Sequence, residues 1–310
     1  ILGLSGGVDS SYLAVKIAEL GLRPLVVHVD AGWNSEPAVQ NIERLVKALG
    51  FDLHTIVIDW EEMRDLQVAY LRSGLANQDV PQDHAFFAAL YRFAIQHRVR
   101  WVISGGNLAS ESILPSAWGY DAMDARQLKA IHRRFGQRPL RHFPIVSFFD
   151  LYFRFPFIHR MRVLRPLDYL HYDKMAAKRL LVDKFGWSDY GAKHYESVWT
   201  KFFQGYFLPA RWGFDKRLAH LSSLIVAGQL TRETALAQLE APAYPAEDLR
   251  RDRAYVLKKL GLTEAEFAEI MNAPKRDFRD YPSIDSTRRR ILALVRMLPI
   301  RAFVRRRFQS

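Results

Sequence analysis

An apolar run ending in Ser5-Gly6-Gly7-Val8-Asp9-Ser10-Ser11 constrains this chain more than any other stretch. Leu13, Ile17 and Leu20 follow at helical spacing, so the segment reads as strand, glycine turn and helix start. Gly6 and Gly7 lack a β-carbon, and their N–H groups can approach an anion closely. The unpaired N–H groups and dipole of the helix start point the same way. Asp9 is anomalous in such a cradle, because a carboxylate beside phosphates needs a cation between them. Mg²⁺ bridging Asp9 and phosphate oxygens explains it. Taken alone, the same residues also suit an ordinary glycine turn before a helix.

The rhythm continues. Residues 25–30 form a Val-rich apolar run, 39–49 repeat at helical spacing, and 53–59 read as a third strand. Helices are expected over 61–75 and 83–97, then a fourth strand over 100–103 that ends in a second glycine turn. Residues 163–167 are a candidate fifth strand, with Pro166 at its end. The pattern predicts an α/β fold: a parallel five-stranded sheet with flanking helices, followed by a C-terminal helical region. The expected division is 1–170 for the sheet domain, 171–286 for a helical substrate region and 287–310 for a basic amphipathic tail. Such sheets bind ligands beyond the carboxyl ends of their strands. Ser5, Gly6, Gly7, Asp9, Ser10, Asp30, Ser104, Gly105 and Asn107 are therefore the candidate nucleotide contacts, and Glu111 a second candidate ligand for the metal. Asp30 also suits a simple turn, and Glu111 a solvated surface position.

The chain has 310 residues, with 45 Lys and Arg against 33 Asp and Glu, for a net charge of +12. A basic surface suits an anionic partner without choosing among nucleotide, nucleic acid and acidic lipid. No cysteine is present, which excludes disulfides, Cys-ligated zinc and a cysteine nucleophile within these residues. No secretory signal or long apolar run is visible, so the cytoplasm is the expected location. The sequence starts inside its first strand without an initiating Met, and a preceding segment is expected.

Residues 142–161 are dense in aromatics, with Arg154, His159, Arg160 and Arg162 near them. They fit core packing, stacking on a nucleic acid or nucleotide sugar, or a hydrophobic face for a partner or membrane. Further on, Lys193, Ser197 and Lys201 fall four apart if 193–204 is one helix, with His194 and Glu196 at its start. That face would offer two ammonium groups to phosphate oxygens. Arg217 and His220, three apart on the next helix, are candidate substrate contacts. The tail carries eight arginines among apolar residues, a pattern compatible with acidic membrane or nucleic acid.

The loop is not a Walker A motif, which requires G-x-x-x-x-G-K-[ST]. It resembles the pyrophosphate loop of the N-type ATP pyrophosphatases, which have an adenine nucleotide alpha hydrolase-like fold and split ATP between its α- and β-phosphates. Residues 27–35, 83–91, 191–197 and 215–224 resemble the N-acetyl sugar amidotransferases of surface-polysaccharide and lipopolysaccharide (LPS) synthesis, within that superfamily. The resemblance runs from Ile1 to about Pro282; the usual N-terminal cysteine-containing segment is not among these residues. It implies conversion of an acetamido group on a UDP-linked sugar to an acetamidino group, using ATP and Mg²⁺. Ammonia would come from a separate glutaminase with a barrel-protein companion, resembling the histidine-pathway pair. In this reading Asp9, Lys193, His194 and Lys201 are catalytic, Glu196, Ser197, Arg217 and His220 contact the sugar substrate, and Asp9 and Glu111 hold the metal. Peripheral contact with the inner membrane is expected through the tail. A lysidine-type tRNA-modifying ATP pyrophosphatase is the alternative that the charge and tail favour.

Overall fold

The structure, a computed structural model, describes residues 1–115, 118–189, 195–285 and 287–288. Five parallel strands form one sheet: β1 (Leu2–Gly3), β2 (Val26–Asp30), β3 (Leu53–Val57), β4 (Trp101–Ile103) and β5 (Arg162–Leu164), in the order β3-β2-β1-β4-β5. The fifth strand stops at Leu164, short of its expected end, because Pro166 opens a 3₁₀ turn (Pro166–Asp168). The sheet's helices are α1 (Val8–Glu19), α2 (Glu36–Leu49), α3 (Trp60–Ser73), α4 (Val80–Gln96), α5 (Leu108–Glu111) and α6 (Ala125–Phe135). Then come α7 (Lys174–Phe185), α8 (Val198–Phe202), α9 (Leu208–Trp212), α10 (Lys216–Val226), α11 (Arg232–Glu240), α12 (Ala246–Leu260) and α13 (Glu264–Asn272).

The punctuation of the helices is local chemistry. Gly50, Gly186 and Gly261 end α2, α7 and α12 in the left-handed conformation. Thr263 and Glu266 form a reciprocal capping box at α13.

Apolar side chains sort to the two faces of the sheet. On one face Leu13, Ile17, Ile42, Leu45 and Leu181 pack α1, α2 and α7 against Leu2 and Val26. On the other, Val27 and Val29 meet α3 and α4 and continue into Trp199, Phe202, Phe203, Phe207, Val256 and Phe267. The helical region from α8 onward therefore shares a core with the sheet. Trp33 and Trp199, both fully buried, have ring centroids 5.6 Å apart at this junction. Burying each such side chain contributes about 1.5–3 kcal/mol, so the sheet and these helices stabilise one another.

One expectation is corrected and one open reading is decided. Residues 193–204 are not one helix: Tyr195 and Glu196 lie in a turn, Ser197 caps α8, and its hydroxyl accepts the Thr200 N–H at 3.2 Å. The aromatic segment is core only in part. Phe143 and Phe155 are buried, but Phe153 and Phe157 are exposed on a π-helical stretch, Asp150–Ile158, as is Phe149 just before it. Lys193, His194 and the tail from 289 lie outside the described residues.

Candidate active site

The strand order places β1 between β2 and β4, so the loops after β1 and β4 are neighbours at the point where the strand order reverses. Ligands bind at such a switch point, where a crevice opens beyond the strand ends. A cleft of about 780 Å³ lies there, lined by Ser5, Gly7, Asp9 and Ser10 from the first loop and Ser104 and Gly105 from the fourth.

The first loop folds around its own serines. The Ser10 hydroxyl accepts the Ser5 N–H at 3.3 Å and lies 3.1 Å from the Ser5 hydroxyl, which accepts the Gly7 N–H at 3.3 Å. Gly6 has φ +82°, and a β-carbon there would meet the Ala38 carbonyl oxygen at 2.7 Å. Only glycine fits. A β-carbon on Gly105 would stand 2.9 Å from the Ser10 Cα, so the two loops meet backbone to backbone. Gly7 is the N-cap of α1 without a side-chain cap, which suits the helix start to an anion.

Asp9 sits in the first turn of α1. It accepts hydrogen bonds from the Tyr172 hydroxyl and, at 3.4 Å, from the Ser110 hydroxyl. Burial, then the Asp9 charge, hold the Tyr172 hydroxyl far above its ordinary value, so Tyr172 remains the proton donor of this pair. Glu111 also lines the cleft. The donor set fits a hard cation, since Mg²⁺ is commonly held by one or two carboxylates plus phosphate oxygens. Among the described residues no cluster of three or more His, Asp or Glu has the arrangement of a self-sufficient metal site.

Two expected nucleotide contacts serve the backbone instead. Asp30 accepts the Gly32 N–H at 2.7 Å, shaping the turn after β2, and does not line the cleft. Asn107 is fully buried and caps α5, accepting the Ser110 N–H at 2.9 Å and its hydroxyl at 3.0 Å. From β2 the cleft is lined by Val27, His28 and Val29, of which His28 is the polar one. Its Nδ1 lies 2.9 Å from the Leu4 carbonyl, which can only accept. The proton is therefore on Nδ1, and Nε2 accepts the Asn34 amide at 2.9 Å.

The C-terminal region closes the opposite wall. Asn34 and Ser197 form an antiparallel bridge, and the Ser35 N–H donates to the Glu196 carbonyl at 2.8 Å. This brings the Glu196 carboxylate beside Gly7, where its Oε1 would lie 3.1 Å from a β-carbon. Ser197 donates to Gln82 at 3.2 Å, and Thr200 to Asp79 at 3.3 Å, which ties α8 to the start of α4. Arg217 and His220 line the cleft from α10, as does Lys216. Asp215 holds the Arg217 guanidinium through contacts of 2.8–3.1 Å.

Lys201 is elsewhere. Its ammonium pairs with Asp252 at 2.9 Å and Asp248 at 3.2 Å and lies over the Tyr244 ring, outside the cleft lining. With α8 starting only at Val198, Lys201 turns toward α12, so the expected pair of lysines is not formed by this residue. Among the described residues the lysines that line the cleft are Lys174 and Lys178, one turn apart on α7, with Lys216 on α10.

Sequence reasoning assigned no role to Tyr172, Ser110 or Asp83. Tyr172 and Ser110 reach Asp9 from 163 and 101 residues away, and no local pattern marks them. Asp83, in a stretch whose family resemblance is visible, faces the cleft from α4. Burial, then the charges of Asp79 and Glu111, opposed by Lys216, push its carboxyl up to about 8. A carboxyl that retains its proton at neutral pH can donate a hydrogen bond or that proton within the cleft.

Residues 196–295 match a family model described as LPS biosynthesis protein WbpG-like, C-terminal domain. No curated protein matches the chain. A solved structure described as a predicted subunit of tRNA methyltransferase from Methanocaldococcus jannaschii is 16% identical over 58% of this chain and 73% of its own, with a TM-score of 0.33. That likeness is too loose to bear on function. The sequence resemblance to a surface-polysaccharide family is thus met by a family match over residues 196–295, the segment that brings Glu196, Ser197, Arg217 and His220 to the cleft.

Proposed function

We propose that this chain is an ATP-dependent amidotransferase of LPS O-antigen or related surface-polysaccharide synthesis. It converts the acetamido group of a nucleotide-activated sugar to an acetamidino group. The observation that carries the reading is the sharing of one cleft. A loop suited to phosphates and the segment matched to an LPS biosynthesis family line the same 780 Å³ cavity.

An amide oxygen is a poor leaving group. Its attack on the α-phosphorus of ATP forms an O-adenylyl imidate and breaks the α–β bridge, releasing pyrophosphate. Ammonia then attacks the imidate carbon, loses a proton, and AMP departs. Acceleration of the first step is placement plus stabilisation of phosphate charge. The N–H groups of 5–10 and the α1 start would face the pyrophosphate end, with the Ser5 and Ser10 hydroxyls. Lys174 and Lys178, the latter paired with Asp189, are suited to the charge of the departing pyrophosphate in place of Lys201, beside the part expected of Lys193. Asp9 and Glu111 would hold Mg²⁺, which neutralises phosphate charge when bound. Tyr172 and Ser110 orient Asp9. Arg217, His220 and Glu196 are suited to contacting the sugar nucleotide, and the protonated Asp83 carboxyl is suited to donating a hydrogen bond to the substrate within the cleft.

The test is incubation with ATP, Mg²⁺, ammonium and a panel of UDP-acetamido sugars, read by mass spectrometry. The expected product is about one mass unit lighter than its parent, oxygen having been replaced by NH. ATP–pyrophosphate exchange that responds to tRNA and to no sugar would overturn the reading.

A further inference from the structure

The exposed aromatic face outside the cleft has a chemistry of its own. In the π-helical stretch Asp150–Ile158 the wide turn brings every fourth or fifth residue to one side. The His159 N–H accordingly reaches the Arg154 carbonyl, five residues back, at 3.0 Å. Phe155 turns inward and is 3% exposed, while Phe149, Phe153, Phe157 and Ile158 are 60%, 45%, 57% and 68% exposed. The three outward phenylalanines follow one another at ring separations of 5.5 and 6.5 Å, a continuous apolar ridge. A contiguous exposed apolar ridge rimmed by polar residues is the kind of surface that marks an interaction site.

Arginines surround the ridge. Arg154 and Arg160 are exposed on the same segment, and Arg162 on edge strand β5 stands 5.3 Å from the centre of the exposed Trp101 ring. The acid of this stretch, Asp150, already pairs with Arg154 at 3.2 Å. The last described residue, Arg288, pairs with Asp121 at 3.6 Å, and its charge acts on the Tyr152 hydroxyl of the ridge segment. The sequence thus continues from beside the ridge into residues 289–310, which add seven arginines among apolar residues.

From this we infer that the 149–162 face is a docking surface for an anionic bilayer, with the phenylalanines entering the headgroup boundary and the arginines meeting lipid phosphates. Interleaved aromatic and arginine side chains suit that boundary, which takes rings at the acyl edge and cations at the phosphates. A second copy of the chain is a poor occupant, because its matching face carries the same charge. Contact would be peripheral, since no helix among the described residues is long and apolar enough to cross a membrane. The face lies outside the cleft, and the inference stands whether or not the amidotransferase reading does.

The experiment is co-sedimentation of the full chain with vesicles of phosphatidylglycerol and phosphatidylcholine, against phosphatidylcholine alone. Two triple variants are compared: Phe149→Ser, Phe153→Ser and Phe157→Ser; and Arg154→Gln, Arg160→Gln and Arg162→Gln. All six side chains are exposed, so thermal midpoints should hold. Binding should require the anionic lipid, weaken with salt, and fall at least about tenfold in each variant with the tail intact. Undiminished binding in both variants overturns the proposal, as does equal binding to neutral vesicles. A monomer–dimer change in the Phe variant without a change in vesicle binding would overturn it in favour of an interface between copies.

Discussion

Replacing Gly105 with alanine should damage the cleft without touching any proposed reacting group. The new methyl would lie 2.9 Å from the Ser10 Cα, 3.0 Å from the Ser10 nitrogen and 3.3 Å from the Asp9 carbonyl carbon. All three are backbone atoms, so no side chain can swing aside; either the turn after β4 or the start of α1 must move. Overpacking of this kind costs about 1–3 kcal/mol. The displaced element carries Asp9 and Ser10, and misplacement approaching 1 Å lowers catalysis by up to about 100-fold. Urea denaturation should show the stability loss, and ATP–pyrophosphate exchange at matched folded fraction should fall at least tenfold. Gly106→Ala is the control one residue away: its methyl would meet Arg165, Ser104 and Glu111 side-chain atoms at 3.5–3.7 Å, ordinary contacts. It should change stability by less than about 0.5 kcal/mol. Equal behaviour of the two variants, in either direction, would refute the argument that the two loops meet backbone to backbone.

Lys201→Met should cost about 1–3 kcal/mol, since among the described residues Asp252 keeps only Arg251 at 3.1 Å and the Tyr244 hydroxyl at 2.7 Å, while ATP affinity of the folded protein stays constant; a loss of affinity in titration calorimetry would return Lys201 to the phosphates. Tyr172→Phe removes the hydroxyl that orients Asp9, and should reduce exchange at least about tenfold and alter its Mg²⁺ dependence with little change in the thermal midpoint; an unaltered Mg²⁺ profile would contradict a metal role for Asp9. For Asp83, the folded chain keeps a proton that the unfolded chain releases between the ordinary carboxylate value of 3.8 and about 8. Its contribution to stability is present at the acid end and is lost as pH rises through that window. Asp83→Asn should therefore gain stability relative to the parent between pH 5 and 9, and parallel melting curves across that range would disprove the shift.

The alternation of apolar runs and helical periods in residues 1–103 was enough to determine a parallel sheet, because strand and helix periods are local properties of the chain. The glycine loop was legible for the same reason: Gly6 needs its positive φ from backbone geometry alone. Capping was legible too, as Thr263 and Glu266 show. Side-chain direction was not. Lys201 looked like a phosphate ligand while 193–204 was read as one helix, and Ser197 as N-cap changes which way it points. Asn107 and Asp30 are polar residues at strand ends, as ligand contacts are, yet their carboxamide and carboxylate are taken up by nearby N–H groups. Only the packed fold could decide that.

The tertiary structure also decided what no local pattern carries. Tyr172 reaches Asp9 only because α7 packs on α1 and brings the preceding turn over the loop. The π-helical geometry turned half of an aromatic run outward, where composition alone left core and surface equally open. The sequence determined the sheet, the phosphate-type loop and the family resemblance, each from residues close together in the chain. The structure decided which distant side chains complete the cleft, since side-chain direction follows from packing between elements that the sequence separates by a hundred residues or more.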